Sequence, residues 1–303
     1  MNSYTPNCPI CLTRATFLID KDSFSHYKCG NTICSLIFVY PPPRNLAYVY
    51  KHDSTNVCEA NKTETSRIII KETLNINLAR KLICKNNYKS VLDIGARSGN
   101  FMRGIADLCE KIVGVEPNSA SALYCRQTGL NVINEFFPSN KLSSSKFDVI
   151  NIADVIEHVE NPRKLIRDAL KRLDSQGTLI IRTPNLNSFW SKQTFLISKF
   201  FNLPWSSLTP PEHISNFSLS GLLSLLSEEN LTIEEIKNES PSLMYELGQL
   251  HLRRNLINKP TLRNILRLLF GYSAYVIVYS INRILAPFLN QNFSQTVIAS
   301  KTV

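Results

Sequence analysis

Glycine is scarce in this chain, 10 residues of 303, against roughly 7% in an average protein. Six of the ten (Gly95, Gly99, Gly104, Gly114, Gly129 and Gly177) fall in one central stretch, which is where backbone shape is being specified. Long hydrophobic runs are also missing. The longest uncharged apolar stretch, Leu268 to Asn282, is interrupted by three tyrosines, two serines and an asparagine. It falls short of the about 20 residues that a membrane-spanning helix needs. Acidic residues are nearly absent from the C-terminal part: from Tyr245 to Val303 Glu246 stands alone against Arg253, Arg254, Lys259, Arg263, Arg267, Arg283 and Lys301. The N-terminus, MNSYTPNCPICL, lacks a basic region followed by an apolar one, so no secretory signal is expected and a reducing cytoplasm is the expected compartment.

Hydrophobic residues make up 44% of the chain, enough for a sizeable core and too many for a disordered chain. The net charge of +10 favours anionic partners. Nucleic acid is disfavoured among them, because the basic residues are not interleaved with aromatics in a recognised binding module. Leu262 to Leu289 places apolar residues at helical spacing with arginines along it, a pattern suited to peripheral contact with an anionic membrane or to covering a lipid-linked substrate.

Three regions are expected: a small cysteine-bearing module over 1–45, closed by Pro41, Pro42 and Pro43; an α/β domain over 64–240; and a basic, mostly helical insertion with a closing strand over 241–303. In the middle region short apolar runs (SVLDI, KIVGV, NVI, FDVINI and GTLIIRT) alternate with longer amphipathic segments. That alternation means βαβ units and a doubly wound parallel sheet with helices on both faces. Thr63 to Asn86 reads as a helical lead-in, Ser218 to Glu229 as a later helix, and LTIEEI and QTVIAS as closing strands.

Eight cysteines in a reducing compartment read as thiols or metal ligands rather than disulfides. Cys8 and Cys11 form one close pair and Cys29 and Cys34 another, the second with a four-residue gap instead of the usual two. Tetrahedral zinc takes four thiolates from two such knuckles, and a module this small needs a staple to fold. His26 is a substitute ligand if the register slips. Cys58, Cys84, Cys109 and Cys125 lack metal spacing and read as core residues.

The sharpest motif is VLDIGARSGNFM, in which a strand ends at Asp93, turns through Gly95 to Gly99 and enters a helix. Ligands of open α/β sheets bind at the carboxyl ends of the strands, and glycine lets them approach the backbone. About 20 residues on, KIVGVEP ends in Glu116, placed to accept from both hydroxyls of a ribose. Asp154 follows FDVINI and reads either as a group facing the ligand or as a helix cap.

At these residues the chain resembles the class I S-adenosylmethionine-dependent methyltransferases. The similarity continues through FDVINIADVIEHVENPRKLIRDALKRLDSQGTLIIRTPN and PEHISNFSLSGLLSLLSEENLTIEEI. The resemblance implies a seven-stranded Rossmann-like methyltransferase sheet. It implies S-adenosylmethionine with Asp93, Gly95 and Gly99 at its methionine end, Glu116 on the ribose, Glu135 nearest the adenine and Asp154 near the sulfonium or the substrate. Arg97 stands where the family usually has its middle glycine. His158, in ADVIEHVENP, and His213, in PPEHISNF, are the candidate bases for an acceptor that must lose a proton. The N-terminal module resembles the zinc ribbon that precedes many such enzymes, with Cys8, Cys11, Cys29 and Cys34 on structural zinc.

The expected activity is methyl transfer to oxygen or carbon of a small-molecule, glycan or lipid-linked acceptor. Two alternatives are weighed against it. One is a non-catalytic scaffold whose cofactor site Arg97 disables. The other is metal-assisted quinone or phenol O-methylation, in which Asp154, Glu157 and His158 resemble the ion-binding set of the ubiquinone-pathway O-methyltransferases.

Overall fold

A computed structural model of the chain describes residues 5–44, 65–142, 144–201, 205, 207–239, 270–271, 273–281, 284–285 and 294–302. Most of the expected insertion over 241–303, much of 262–289, and Cys58 therefore lie outside the described residues.

The doubly wound domain forms a seven-stranded sheet. Helix α1 (Thr65–Asn86) leads into β4 (Ser90–Ile94), α2 (Asn100–Gly104), β5 (Lys111–Val115), α3 (Ser119–Gln127) and β6 (Val132–Ile133). The chain then crosses to β7 (Phe147–Ala153), α4 (Pro162–Leu170) and β8 (Leu173–Pro184), and the sheet is completed by β10 (Leu231–Glu239) and β11 (Ser294–Lys301). The strand order is β10-β11-β8-β7-β4-β5-β6, and β4 pairs in parallel with both β5 and β7. Successive strands run outward from β4 on one side and from β7 on the other, so the switch point falls between those two, at their carboxyl ends.

The closing strand β11 lies between β10 and β8. Near its end, Ser300 bonds Glu234, Thr302 bonds the carbonyl of Asn230, and the Lys301 ammonium reaches the carbonyl of Leu173 at the very start of β8.

Local chemistry sets the helix starts at the ligand side. Asn118 caps α3 by accepting from the Ser121 amide at 2.9 Å, and Asn161 caps α4 through the Lys164 amide at 2.9 Å with Pro162 next to it. The strands β4 and β7 are apolar on both faces because helices cover both, and Leu92, Val149, Ile150 and Ile152 are wholly buried.

A second, four-stranded sheet has the order β1-β2-β3-β9, formed by β1 (Ala15–Lys21), β2 (Phe24–Cys29), β3 (Ile37–Val39) and β9 (Ser215–Asn216). The sequence reads as loop here, and β3 pairs with a strand about 180 residues away in the chain, Ile37 opposite Asn216. The cysteine module thus shares a compact unit with 183–224 and 237–295, while 43–182, 225–236 and 296–303 make the other unit. Between β8 and β9 lies helix α5 (Phe189–Phe201), which the sequence reading also lacks. The last helix before β10, α6 (Leu219–Glu228), stands where Ser218 to Glu229 is expected to be helical.

Candidate functional site

The glycine-rich turn between β4 and α2 is built as the motif implies. Gly95 and Ala96 both donate to the carbonyl of Val115, at 2.8 and 3.2 Å, which stitches the turn to the end of β5. Gly95 has φ +81 and a Cβ there would lie 2.4 Å from Val155; Gly99 has φ +77 and its Cβ would lie 2.2 Å from Leu130. Neither position has room or torsional freedom for a side chain. Arg97 also adopts a left-handed conformation, φ +47, and its side chain is exposed. The backbone shape that a glycine would give is therefore kept with an arginine in place.

Glu116, 7% exposed, closes this corner. One carboxylate oxygen accepts from the Arg97 amide at 2.8 Å, the other from the Asn118 amide at 2.7 Å. Burial pushes its carboxyl up from the usual range, opposed by those two amides and by the Arg97 charge. Each oxygen has capacity for a second donor, as two adjacent hydroxyls would require. Asn134, which sequence reasoning passes over, donates to the carbonyls of Glu116 and Pro117 at 2.9 and 3.0 Å and holds this loop from the end of β6.

Asp93 is buried at the last turn of β4 and accepts from the Asn151 amide at 2.7 Å. Asn151 in turn accepts from Asn75 of α1 at 3.0 Å. Asp93 and Asn151 are register partners in β4 and β7, so the pairing of the strands delivers this contact. The legible signal is a polar residue inside the apolar run FDVINI.

Asp154, at the end of β7, is a left-handed residue with φ +53 and does not cap a helix. Its carboxylate pairs with the guanidinium of Arg182 at the end of β8, whose side chain is only 6% exposed, and its amide donates to the Arg182 carbonyl at 2.9 Å. Glu135 lies in the loop after β6, where its carboxylate takes Lys141 at 2.7 Å and Ser139 at 2.5 Å. Those two partners hold its carboxyl below the usual range.

His158 ends a short 3-10 turn, Ile156–His158, in which Glu157 is buried. Asp93, Gly95, Gly99, Glu116, Asp154 and His158 all belong to the unit that carries β4, β5 and β7. His213 belongs to the other, where its amide donates to Thr209 at 3.0 Å just before β9.

The four cysteines of the knuckles converge. Cys8 and Cys34 sulfurs are 3.7 Å apart, Cys11 and Cys29 sulfurs 3.3 Å, and all four ligand atoms lie within 4.8 Å of one another. Tetrahedral zinc with bonds of about 2.3 Å places its sulfurs about 3.8 Å apart. The wide second knuckle is accommodated by Asn31, whose side chain accepts from the amides of Ile33 and Cys34 and folds the extra residues into a turn. Cys8 is pulled down to about 5 by its Cys34 contact, whereas burial pushes Cys29 up to about 12 and the Cys8 contact pushes Cys34 up. Three buried thiols and one half-buried one cannot all ionise together without a cation, and a dication resolves that conflict. The quartet thus fits zinc in number, softness and spacing. His26 stands outside the quartet: its Nδ1 sits 3.2 Å from the Phe24 carbonyl and burial lowers its pKa to about 4.

A doubly wound sheet with this strand order, a left-handed glycine turn after the first strand and a buried acid after the second is the arrangement of an S-adenosylmethionine-dependent methyltransferase of class I type. The chain belongs to the methyltransferase-domain family, whose pattern it matches over residues 67–236. It is 31% identical over 108 residues to the ubiquinone biosynthesis O-methyltransferase of Glaesserella parasuis serovar 5 (strain SH0165), 32% of this chain and 46% of that protein. It is 24% identical over 167 residues to the protein of the same name from Coxiella burnetii (strain Dugway 5J108-111), 50% of this chain and 70% of the relative. The chain thus spans about half the length of the first of these relatives. Among solved structures it is similar to the plantazolicin methyltransferase BpumL in complex with SAH, at 17% identity and a TM-score of 0.48, covering 86% of this chain and 95% of that one.

Proposed function

We propose that the chain transfers a methyl group from S-adenosylmethionine to an oxygen or carbon of a small-molecule, glycan or lipid-linked acceptor. The observation that carries this reading is the corner formed by Gly95, Arg97, Gly99 and Glu116: a left-handed turn with no room for a side chain at Gly95 or Gly99, beside a buried carboxylate that holds two amides. The cofactor would supply an electrophilic methyl group on a sulfonium. The protein then mainly aligns the acceptor and removes its proton.

In this reading Gly95 and Gly99 give the turn the left-handed backbone that faces the methionine end, and Asp93, fixed by Asn151, presents its carboxylate there. Glu116 accepts from the ribose hydroxyls, and Glu135 lies on the adenine side. Asp154, oriented by Arg182, lies toward the methyl-transfer end, and the Arg182 charge keeps that end neutral. His158 and His213 are the candidate bases. A base for a hydroxyl acceptor has to be unprotonated at working pH, which a neutral imidazole supplies.

Zinc on Cys8, Cys11, Cys29 and Cys34 is structural in this reading, since four protein sulfurs leave no open position for substrate. The protein would work in the cytoplasm, peripheral to a membrane when its acceptor is lipid-linked. The left-handed Arg97, whose amide holds Glu116, supports an intact cofactor corner over a disabled one. An acceptor screen with labelled S-adenosylmethionine tests the reading: methyl incorporation that falls with Glu116→Ala and with His158→Ala supports it, and cofactor binding without transfer to any acceptor class counts against it.

A further inference from the structure

Helix α5 turns an apolar stripe outward. Leu196 is 58% exposed and Phe200 83%, one turn apart, and together with Lys199, Ile197 and Phe201 they line an open, shallow depression. Lys192 continues the same stripe one turn earlier, and Lys199 lies over the Phe195 ring at 4.8 Å. The opposite face of α5 carries Trp190, which is wholly buried and meets the rings of Tyr275 and Tyr279, each at 6.0 Å.

That contact ties α5 to the helical stretch 273–281 within one compact unit. The tyrosines at 275 and 279 occupy one face of the stretch. Ile277 and Ile281 recur four residues apart on the far face, and both are exposed, as are Val276, Ile284 and Leu285. Large apolar side chains exposed on two adjoining helices are more than isolated surface hydrophobics, and soluble monomers rarely leave such sets uncovered.

The charge along these stretches of the sequence has one sign. No aspartate or glutamate occurs from Thr183 to Pro211 or from Leu247 to Val303, whereas Lys192, Lys199, Arg253, Arg254, Lys259, Arg263, Arg267, Arg283 and Lys301 do. Exposed apolar side chains beside Lys192 and Lys199, on stretches of chain that are basic and carry no acid, suit the headgroup region of a bilayer, where acyl chains accept the apolar groups and lipid phosphates the cations. A protein partner would need an acidic, apolar face of its own, which is rare on soluble surfaces. Among the described residues no helix is long and apolar enough to cross a membrane, so contact would be interfacial.

We propose that the outward faces of α5 and of 273–281, with Ile284 and Leu285, form a docking surface for an anionic phospholipid bilayer. The inference deepens, and rests on, the reading of the acceptor as lipid-linked, because an enzyme docked through this surface meets acceptors dissolved in the bilayer.

The test is sedimentation of the full chain with vesicles of phosphatidylglycerol and phosphatidylcholine in equal parts, beside vesicles of phosphatidylcholine alone. The expected result is binding to the mixed vesicles about tenfold or more tighter than to the neutral ones, weakening as salt rises. The double variant Leu196→Glu, Phe200→Glu should lose about tenfold in vesicle affinity, and Lys192→Glu, Lys199→Glu a similar factor. All four side chains point to solvent, so melting temperature and calorimetric S-adenosylmethionine binding should stay at the wild-type level. Equal sedimentation of wild type and both variants overturns the proposal, as does equal binding to neutral and mixed vesicles. So does a dimer in light scattering that the apolar variant dissociates while vesicle binding is absent. Vesicle binding without cofactor binding would instead strike the methyltransferase reading and leave the surface standing.

Discussion

Replacing Cys8 by serine removes one of four converging sulfurs, and the consequence can be followed through the structure. Cys8 lies 3.7 Å from Cys34, and the knuckle that holds Cys34 is fastened to the residues around Ser218: Ser35 meets Ser218 at 2.7 Å and Ser220 donates to the Ile33 carbonyl at 2.9 Å. β3, which follows that knuckle, pairs with β9. Metal loss should therefore loosen more than the first 40 residues. Structural zinc contributes on the order of 10–16 kcal/mol in isolated knuckle peptides. If the surrounding packing retains half of the fold's order, about 5–8 kcal/mol is lost. For a unit of this size that is about 10–30 °C in melting temperature. The assay is scanning calorimetry of wild type and Cys8→Ser, with elemental analysis on the same samples and a chelator arm. About one zinc per chain in wild type and a drop of that size in the variant and on chelation are expected. A metal-free wild type whose melting is unmoved by Cys8→Ser would refute the reasoning.

Gly99→Ala should cost about 1–3 kcal/mol, from a left-handed torsion and a methyl against Leu130 and Cys125, and should weaken cofactor binding; urea melts and calorimetry read both. Arg182→Met should leave Asp154 without its cation, so methyl transfer should fall with little change in global melting, and Arg182→Lys should restore part of it. Glu229 is half-buried, which alone would raise its carboxyl, but Arg167 and Arg163 hold it below the usual range. Its contribution to stability is therefore present above about pH 4.3. It should be lost as the pH falls further, through the lowered folded-state value. Melting temperature between pH 6 and pH 3 should fall less steeply in Glu229→Gln than in wild type.

The doubly wound sheet was legible because each strand from SVLDI to GTLIIRT is an apolar run set off by an amphipathic helix, so the two periods separate cleanly. Helix α5 was not, because its inward face is polar as well as apolar: Ser191, Thr194 and Ser198 are buried beside Trp190 and Ile197, which breaks the apolar period. The strands of the cysteine module escaped for another reason. β3 and β9 have only three and two residues, and what aligns β1, β2 and β3 is ring contact such as Phe17 with Tyr27 and Tyr27 with Phe38, together with β9 from far along the chain.

At the site, Asp93, the glycines and Glu116 could be read from one motif because a strand, a turn and a second strand follow one another directly. Arg182 could not, since its relation to Asp154 depends on β7 and β8 being neighbours and ending together. Arg97 shows the limit of matching letters to a motif. The departure from glycine changes the side chain, yet the left-handed backbone and the amide that reaches Glu116 remain. Glu135 is the acid nearest to the expected adenine position, and its carboxylate is met by Lys141 and Ser139, contacts that no spacing rule reveals.

The central claim is that the corner at Glu116 holds S-adenosylmethionine. Titration calorimetry of the full chain with S-adenosylmethionine and S-adenosylhomocysteine, beside Glu116→Ala, tests it most directly. Dissociation constants in about the micromolar range for wild type, with binding lost in a variant that still melts cooperatively, are what the proposed role of Glu116 predicts. Folded, metal-loaded wild type that binds neither ligand, or a Glu116→Ala variant that binds both as tightly as wild type, would contradict it.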